Sequence, residues 1–171
     1  MWSSSNLNTA RRHFCLGLAA WPLLGWAGPD PLTDLGRWGH GEYRRFGFLI
    51  YEATLWAGED PLRPPLALRL DYRRSLSGRA IGEASIREMR QLGGDEAPLA
   101  AWGQQLAALL PDVRDGDHIL GLYGPDGARF IYNGRDLGGI PDGAFARRFF
   151  AIWLDPGTSA PALRAALLRR P

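Results

Sequence analysis

All 20 residues in the Lys+Arg total of this 171-residue chain are arginine. A guanidinium stays charged at any useful pH, so a catalytic or Schiff-base lysine is excluded. The single cysteine, Cys15, lies in an N-terminal segment that reads as removable, and without it the chain has no thiol nucleophile, disulfide or thiolate metal site. Two sets of side chains have the composition of metal ligands: His40 with Glu42, and Asp112, Asp115 and Asp117 with His118. The second set belongs to a turn rich in aspartate for ordinary turn reasons and lacks the glycine-centred calcium loop. No metal and no cofactor is expected. Ser85 has no Gly-x-Ser-x-Gly setting, and His40 and His118 are the only histidines beyond the N-terminal segment, so a serine triad is not supported.

Met1 to Ala27 reads as an export signal. Arg11-Arg12 precedes an apolar run from Phe14 to Trp26, and Gly25-Trp26-Ala27 is a small-x-small cleavage site. The run is shorter than the roughly 20 residues of a membrane span, and Pro22 interrupts it. Cleavage is expected after Ala27, leaving residues 28–171 as one domain in the periplasm without stable membrane insertion. Arg11-Arg12 followed by Phe14 fits a twin-arginine signal as well as an ordinary secretory one. Removal of Arg11 and Arg12 leaves basic and acidic residues balanced at 18 each. With the arginines scattered as well, nucleic acid is not an expected partner.

Two strand patterns come first. Tyr43 to Leu55 reads as one long strand, and Leu66 to about Arg74 alternates as a second. Ser77 caps an expected helix from Gly78 to about Leu92, closed by Gly93-Gly94, and a further helix runs from about Pro98 to Leu110. Ile119 to Tyr123 and Arg129 to Tyr132 form a hairpin around Pro125-Asp126-Gly127, with a turn at Asn133-Gly134. Helices from about Asp142 and from Ser159-Ala160-Pro161 complete the chain, Pro161 taking a first-turn position. Strands, helices, a hairpin and helices again predict an α+β fold, an antiparallel sheet covered on one face by helices. Arg69 and Asp71, two apart on one strand face, are expected to pair.

Several stretches, in this order, resemble the exported bacterial chalcone-isomerase-like family: the run from Phe46 to Trp56, Leu68 to Tyr72, Trp102 with Leu110 to Val113, Gly116-Asp117, and Phe150 to Pro156 with Leu163-Arg164. The resemblance spans about Gly36 to Leu168. It implies the chalcone isomerase fold, an open-faced β-sandwich with one large sheet backed by helices and a ligand cleft between them. The plant enzyme of that fold handles protons with an arginine, a threonine, a tyrosine and an asparagine. Aligned on Tyr51, the threonine position is held here by Phe46, the tyrosine position by Ile81 and the asparagine position by Glu88. Phenylalanine and isoleucine cannot donate a hydrogen bond, so those contributions are lost.

Arg44 shares strand parity with Phe46, Phe48 and Ile50 and is expected to point into the cleft, where a guanidinium suits a carboxylate. Non-isomerase members of the fold bind fatty acids, and the resemblance implies arginine plus tyrosine as the carboxylate holder, with Tyr72 as the second donor. The ligand-binding set is thus Arg44, Phe46, Tyr72 and Ile81. Against this stand a solubilising role for Arg44 or Arg45 on an edge strand and a core role for Tyr72. Three functions remain open: a non-catalytic binder of a small apolar carboxylic acid, fatty or aromatic; an isomerase or intramolecular lyase using Arg44 and a bound water; and an exported interaction protein whose cleft is filled by Phe46, Phe48 and aromatic helix residues. The identity of the ligand and the oligomeric state are not legible.

Overall fold

The computed structural model describes residues 30–93 and 96–169. The expected export signal, with Arg11-Arg12 and Cys15, lies outside these residues, as does Gly94. Six strands form one antiparallel sheet in sequence order: β1 (Gly36–Arg45), β2 (Phe48–Ala57), β3 (Leu66–Tyr72), β4 (His118–Gly124), β5 (Gly127–Tyr132) and β6 (Arg135–Ile140). Among the described residues four helices accompany it: α1 (Gly78–Gln91), α2 (Glu96–Leu109), α3 (Gly143–Leu154) and α4 (Pro161–Leu167). The α+β architecture expected from the sequence is the one found. No helix among the described residues is long and apolar enough to cross a membrane.

The helices lie on one face of the sheet because one set of strand side chains is apolar. Leu55, Leu66 and Phe130 are buried from the strands, and Phe145, Phe150 and Leu167 from the helices opposite. Each such side chain contributes about 1.5–3 kcal/mol when removed from water. The other face carries His40, whose Nδ1 lies 3.1 Å from the Thr54 hydroxyl, and the expected Arg69–Asp71 pair at 2.6 Å. Helix α3 rests on β4 and β5, and α4 on β1, whereas α1 packs on α2 and α3 rather than on a strand. The pair α1 and α2 is inserted between β3 and β4, which are themselves neighbours.

Local sequence explains the helix limits. Ser77 accepts from Ala80 N–H at 3.1 Å and starts α1, as expected. Asp142 accepts from Ala144 and Phe145 N–H and starts α3. Gly93 follows α1 with φ 89°, a region that favours glycine.

Two expectations are corrected. The long strand Tyr43–Leu55 is a hairpin: β1 and β2 meet at a two-residue turn in which Phe46 has φ 51° and Gly47 φ 82°. That is the geometry of the tightest hairpin turns, whose twist matches the strands. The segment before Tyr43 is itself strand β1, and β6 is a second edge strand that the alternation pattern did not reveal. Strand β1 contains Gly39 and Gly41 because α4 crosses it closely: a Cβ on Gly39 would lie 2.2 Å from the Leu167 carbonyl oxygen, and one on Gly41 2.8 Å from the Ala166 Cβ.

These features set two opposite stability outcomes. Gly39→Ala forces the backbone of α4 away from the sheet and should cost about 3 kcal/mol, read as a lower urea midpoint. Phe46→Asn replaces a bulky residue in the left-handed region with one that tolerates it, and should raise stability by about 1 kcal/mol, or Tm by about 3 °C.

Candidate functional site

A cavity of about 600 Å³ lies between the sheet and α1. The space opens at a mouth and is of a size usual for small-molecule sites.

The floor of the cavity is set by sheet register. Tyr43, Tyr51 and Tyr72 are direct partners across β1, β2 and β3, and all three line the space. Tyr43 stacks on Tyr51 at 4.9 Å between ring centroids, and Tyr72 meets Tyr51 edge-on at 6.1 Å. Beyond this row the floor becomes wholly apolar: Leu70 beside Ile119, then Leu68 beside Gly121 and Phe130. Gly121 leaves room for Phe150, whose ring edge would lie 3.3 Å from a Cβ placed there. Ile81, Ala84 and Ser85 of α1 form the roof, and Phe149, Ile152 and Trp153 of α3 form the side wall.

Polar groups are few inside. The Tyr51 hydroxyl accepts from Trp153 Nε1 at 3.0 Å. Burial pushes the Tyr51 phenol well above the usual range, the Trp153 hydrogen bond opposing it. Tyr72 is 2% exposed and its phenol is also raised, by burial alone. Its hydroxyl has no hydrogen-bond partner among the described residues, yet it is not sealed off, so it opens on the cavity. The Ser85 hydroxyl is already spent on the Ile81 carbonyl at 2.9 Å. At the mouth stand Arg45, Arg87, Glu88 and Gln91, with Glu88 accepting from the Ser159 hydroxyl at 2.6 Å. Neither Arg45 nor Arg87 forms an ion pair with a carboxylate among the described residues.

Of the four residues expected at the site, Tyr72 and Ile81 line the cavity, and Arg44 and Phe46 do not. Arg44 is exposed, bound to Glu42 at 2.9 Å through Nε, and its Nη1 donates to the Gly47 carbonyl at 3.4 Å. Parity of Arg44 with Phe46 and Ile50 requires one unbroken strand. The turn and a register shift between Tyr43 and Arg44 break that parity, so Tyr43 and Arg45 face the cavity instead. Phe46 sits on the turn at 88% exposure and Phe48 at 57%, so neither fills the cleft. The reading in which these two close the cleft is overturned.

Tyr51, Arg45 and Arg87 are the residues the sequence reading missed. The Phe46-Gly47 turn was the signal that would have found Arg45, since a hairpin there reverses the parity. The metal-like sets are otherwise engaged: the Asp117 carboxylate accepts from Asn133, the Arg114 N–H and Tyr132. No group of three or more His, Cys, Asp or Glu is placed to hold a metal among the described residues.

A family profile described as chalcone isomerase-like matches residues 51–169. No curated protein matches in a sequence comparison. Among solved structures, a fatty-acid binding protein of Arabidopsis thaliana is similar, with a TM-score of 0.60 and 12% sequence identity over 80% of this chain and 87% of that one.

The raised phenols give a spectroscopic outcome. Two of the five tyrosines, Tyr51 and Tyr72, should stay silent in an alkaline ultraviolet titration while the chain is folded. The unfolded chain releases those protons near 10 and the folded chain holds them longer, so stability is intact below that pH and falls as pH rises above it. Tyr72→Phe should shrink that alkaline loss.

Proposed function

The chain belongs to the chalcone isomerase-like family, and we propose that it acts there as a non-catalytic binding protein that holds a small apolar carboxylic acid in the cavity between sheet and helices. The observation that carries this reading is the buried Tyr72 hydroxyl, which has no hydrogen-bond partner among the described residues and opens on an apolar space of about 600 Å³. A donor kept in that state is compensated when a ligand oxygen arrives. The guanidinium of Arg45, which lies over the Phe46 ring and forms no ion pair with a carboxylate among the described residues, lines the same cavity one strand step beyond the tyrosine row. Together they suit a carboxylate, which tolerates an apolar site only when it is paired and hydrogen-bonded.

The register also gives the ligand a direction. The acid group meets Arg45, Tyr72 and Tyr51 near the mouth, and the apolar body runs over Leu70 and Leu68 towards Phe130 and Phe150. The likeness to a plant fatty-acid binding protein supports a fatty acid as the ligand class. An isomerase reading that depends on Arg44 draws no support from an arginine held by Glu42 outside the cavity. The periplasm is the proposed compartment, supported by the Arg11-Arg12 and apolar pattern of residues 1–27.

The test is titration of the purified protein with a long-chain fatty acid, followed by native mass spectrometry and tryptophan emission. Binding should be saturable at one acid per chain. Tyr72→Phe and Arg45→Ala should each weaken it by about ten-fold, the value of a hydrogen bond to a charged group, while Arg44→Ala leaves it as in the wild type. Tyr72→Phe should leave Tm unchanged or higher, because no protein hydrogen bond is lost. Absence of saturable binding to fatty and phenolic acids alike would remove the proposal. N-terminal sequencing of the protein from a periplasmic extract should begin at Gly28.

A further inference from the structure

The hairpin tip that displaced Phe46 from the cavity presents two phenylalanines to solvent, Phe46 at 88% and Phe48 at 57% exposure. The hairpin turn sets Phe46 at φ 51°, a conformation that a bulky side chain avoids, so the turn accounts for the backbone but not for a phenylalanine at its tip. Cations surround the tip. The Arg45 guanidinium lies over the Phe46 ring at 5.3 Å, and that of Arg74 over the Phe48 ring at 4.8 Å. Arg44 and Arg73 are committed to Glu42 and Glu52, whereas Arg45 and Arg74 have no ion pair with a carboxylate among the described residues. Arg45 and Ile50, on the two strands of this hairpin, also line the cavity mouth.

We propose that the β1–β2 hairpin tip docks the protein on an anionic lipid surface, Phe46 and Phe48 entering the interface while Arg74 meets a headgroup phosphate. Magnitudes favour a bilayer over a protein partner. Two rings of about 150–250 Å² each fall short of the roughly 800 Å² that each side of a stable protein interface buries. At a membrane, each arginine near an anionic surface strengthens partition about five-fold, and each inserted ring on the order of ten-fold. Guanidinium and phosphate match in bidentate geometry. Docking deepens the ligand-binding reading and rests on it in one respect: it turns the cavity mouth towards the phase in which an apolar acid dissolves. Attachment itself stands without that reading.

The test is co-sedimentation of the protein, as purified, with vesicles of equal parts phosphatidylglycerol and phosphatidylcholine, beside vesicles of phosphatidylcholine alone. The compared chains are wild type, Phe46→Ser with Phe48→Ser, Arg74→Gln, and Phe46→Asn. All share one N-terminus, so differences among them report on the hairpin. The double serine variant should lose partition by about ten-fold or more, and Arg74→Gln by about five-fold. Phosphatidylcholine alone and raised salt should weaken wild-type attachment. Phe46→Asn separates docking from stability, because it should raise Tm and still weaken sedimentation. The double serine variant should bind a long-chain acid as the wild type does, so loss of docking is not loss of the cavity. Failure of acid binding with docking intact would count against the cavity reading and leave the docking one supported. Equal sedimentation of wild type and double serine variant would overturn the proposal, as would a wild-type dimer that the double variant turns into a monomer, which would assign the tip to a second copy of the chain.

Discussion

Helix α1 is tied at both ends to partners other than the sheet beneath it, and the cavity follows from that. At its start, the Gly78 N–H donates to Asp112 at 2.9 Å, and Leu76 bridges Val113 through paired backbone hydrogen bonds. Near its end, Glu88 takes a hydrogen bond from Ser159 in the loop before α4. Along its length it is close to α2, where Gly82 lies against Leu106 and Gly103 against Ile86. A helix fixed in this way cannot collapse onto β2 and β3 to fill the space. The usual tendency of an interior to close on a void is opposed by directional bonds at both ends of one element.

The floor shows how backbone pairing distributes chemistry. Three tyrosines from three strands form one row only because the register sets Tyr43, Tyr51 and Tyr72 opposite one another. A slip of one residue would send the row to the helix-free face. The polar end of the cavity is therefore as secure as the sheet, and the apolar end is built from aromatic side chains of α3 that pack on one another, Phe149 stacking on Phe145 and meeting Phe150 edge-on. Donors at one end and hydrocarbon at the other suit an amphiphile better than a uniformly polar or uniformly apolar molecule.

Much of this was legible in the sequence where side chains repeat with a period. Strand β3, helices α1 to α4 and the hairpin around Asp126 follow from alternation, helical spacing, caps and turn residues. The two edge strands were not legible, because β1 and β6 carry glycines in place of alternating apolar residues, and their identity depends on a neighbour: α4 for β1 and β5 for β6. The site was half legible. Tyr72 lies at the end of a regular strand and Ile81 on a regular helix, so their positions followed from local pattern. Arg44 and Phe46 flank a turn that needs a left-handed residue, and phenylalanine is not a residue that announces one. Missing that turn moved the arginine by one position and the phenylalanine from inside to outside.

The insertion of α1 and α2 between two strands that pair directly divides the labours of the molecule. Sheet strands β3 and β4 would be neighbours with any connection long enough to return, and lengthening a loop raises its closure entropy only slowly. The roof of the cavity is thereby a separate segment of chain from its floor. Changes in the inserted helices reshape the roof of the cavity without altering the strand register beneath it.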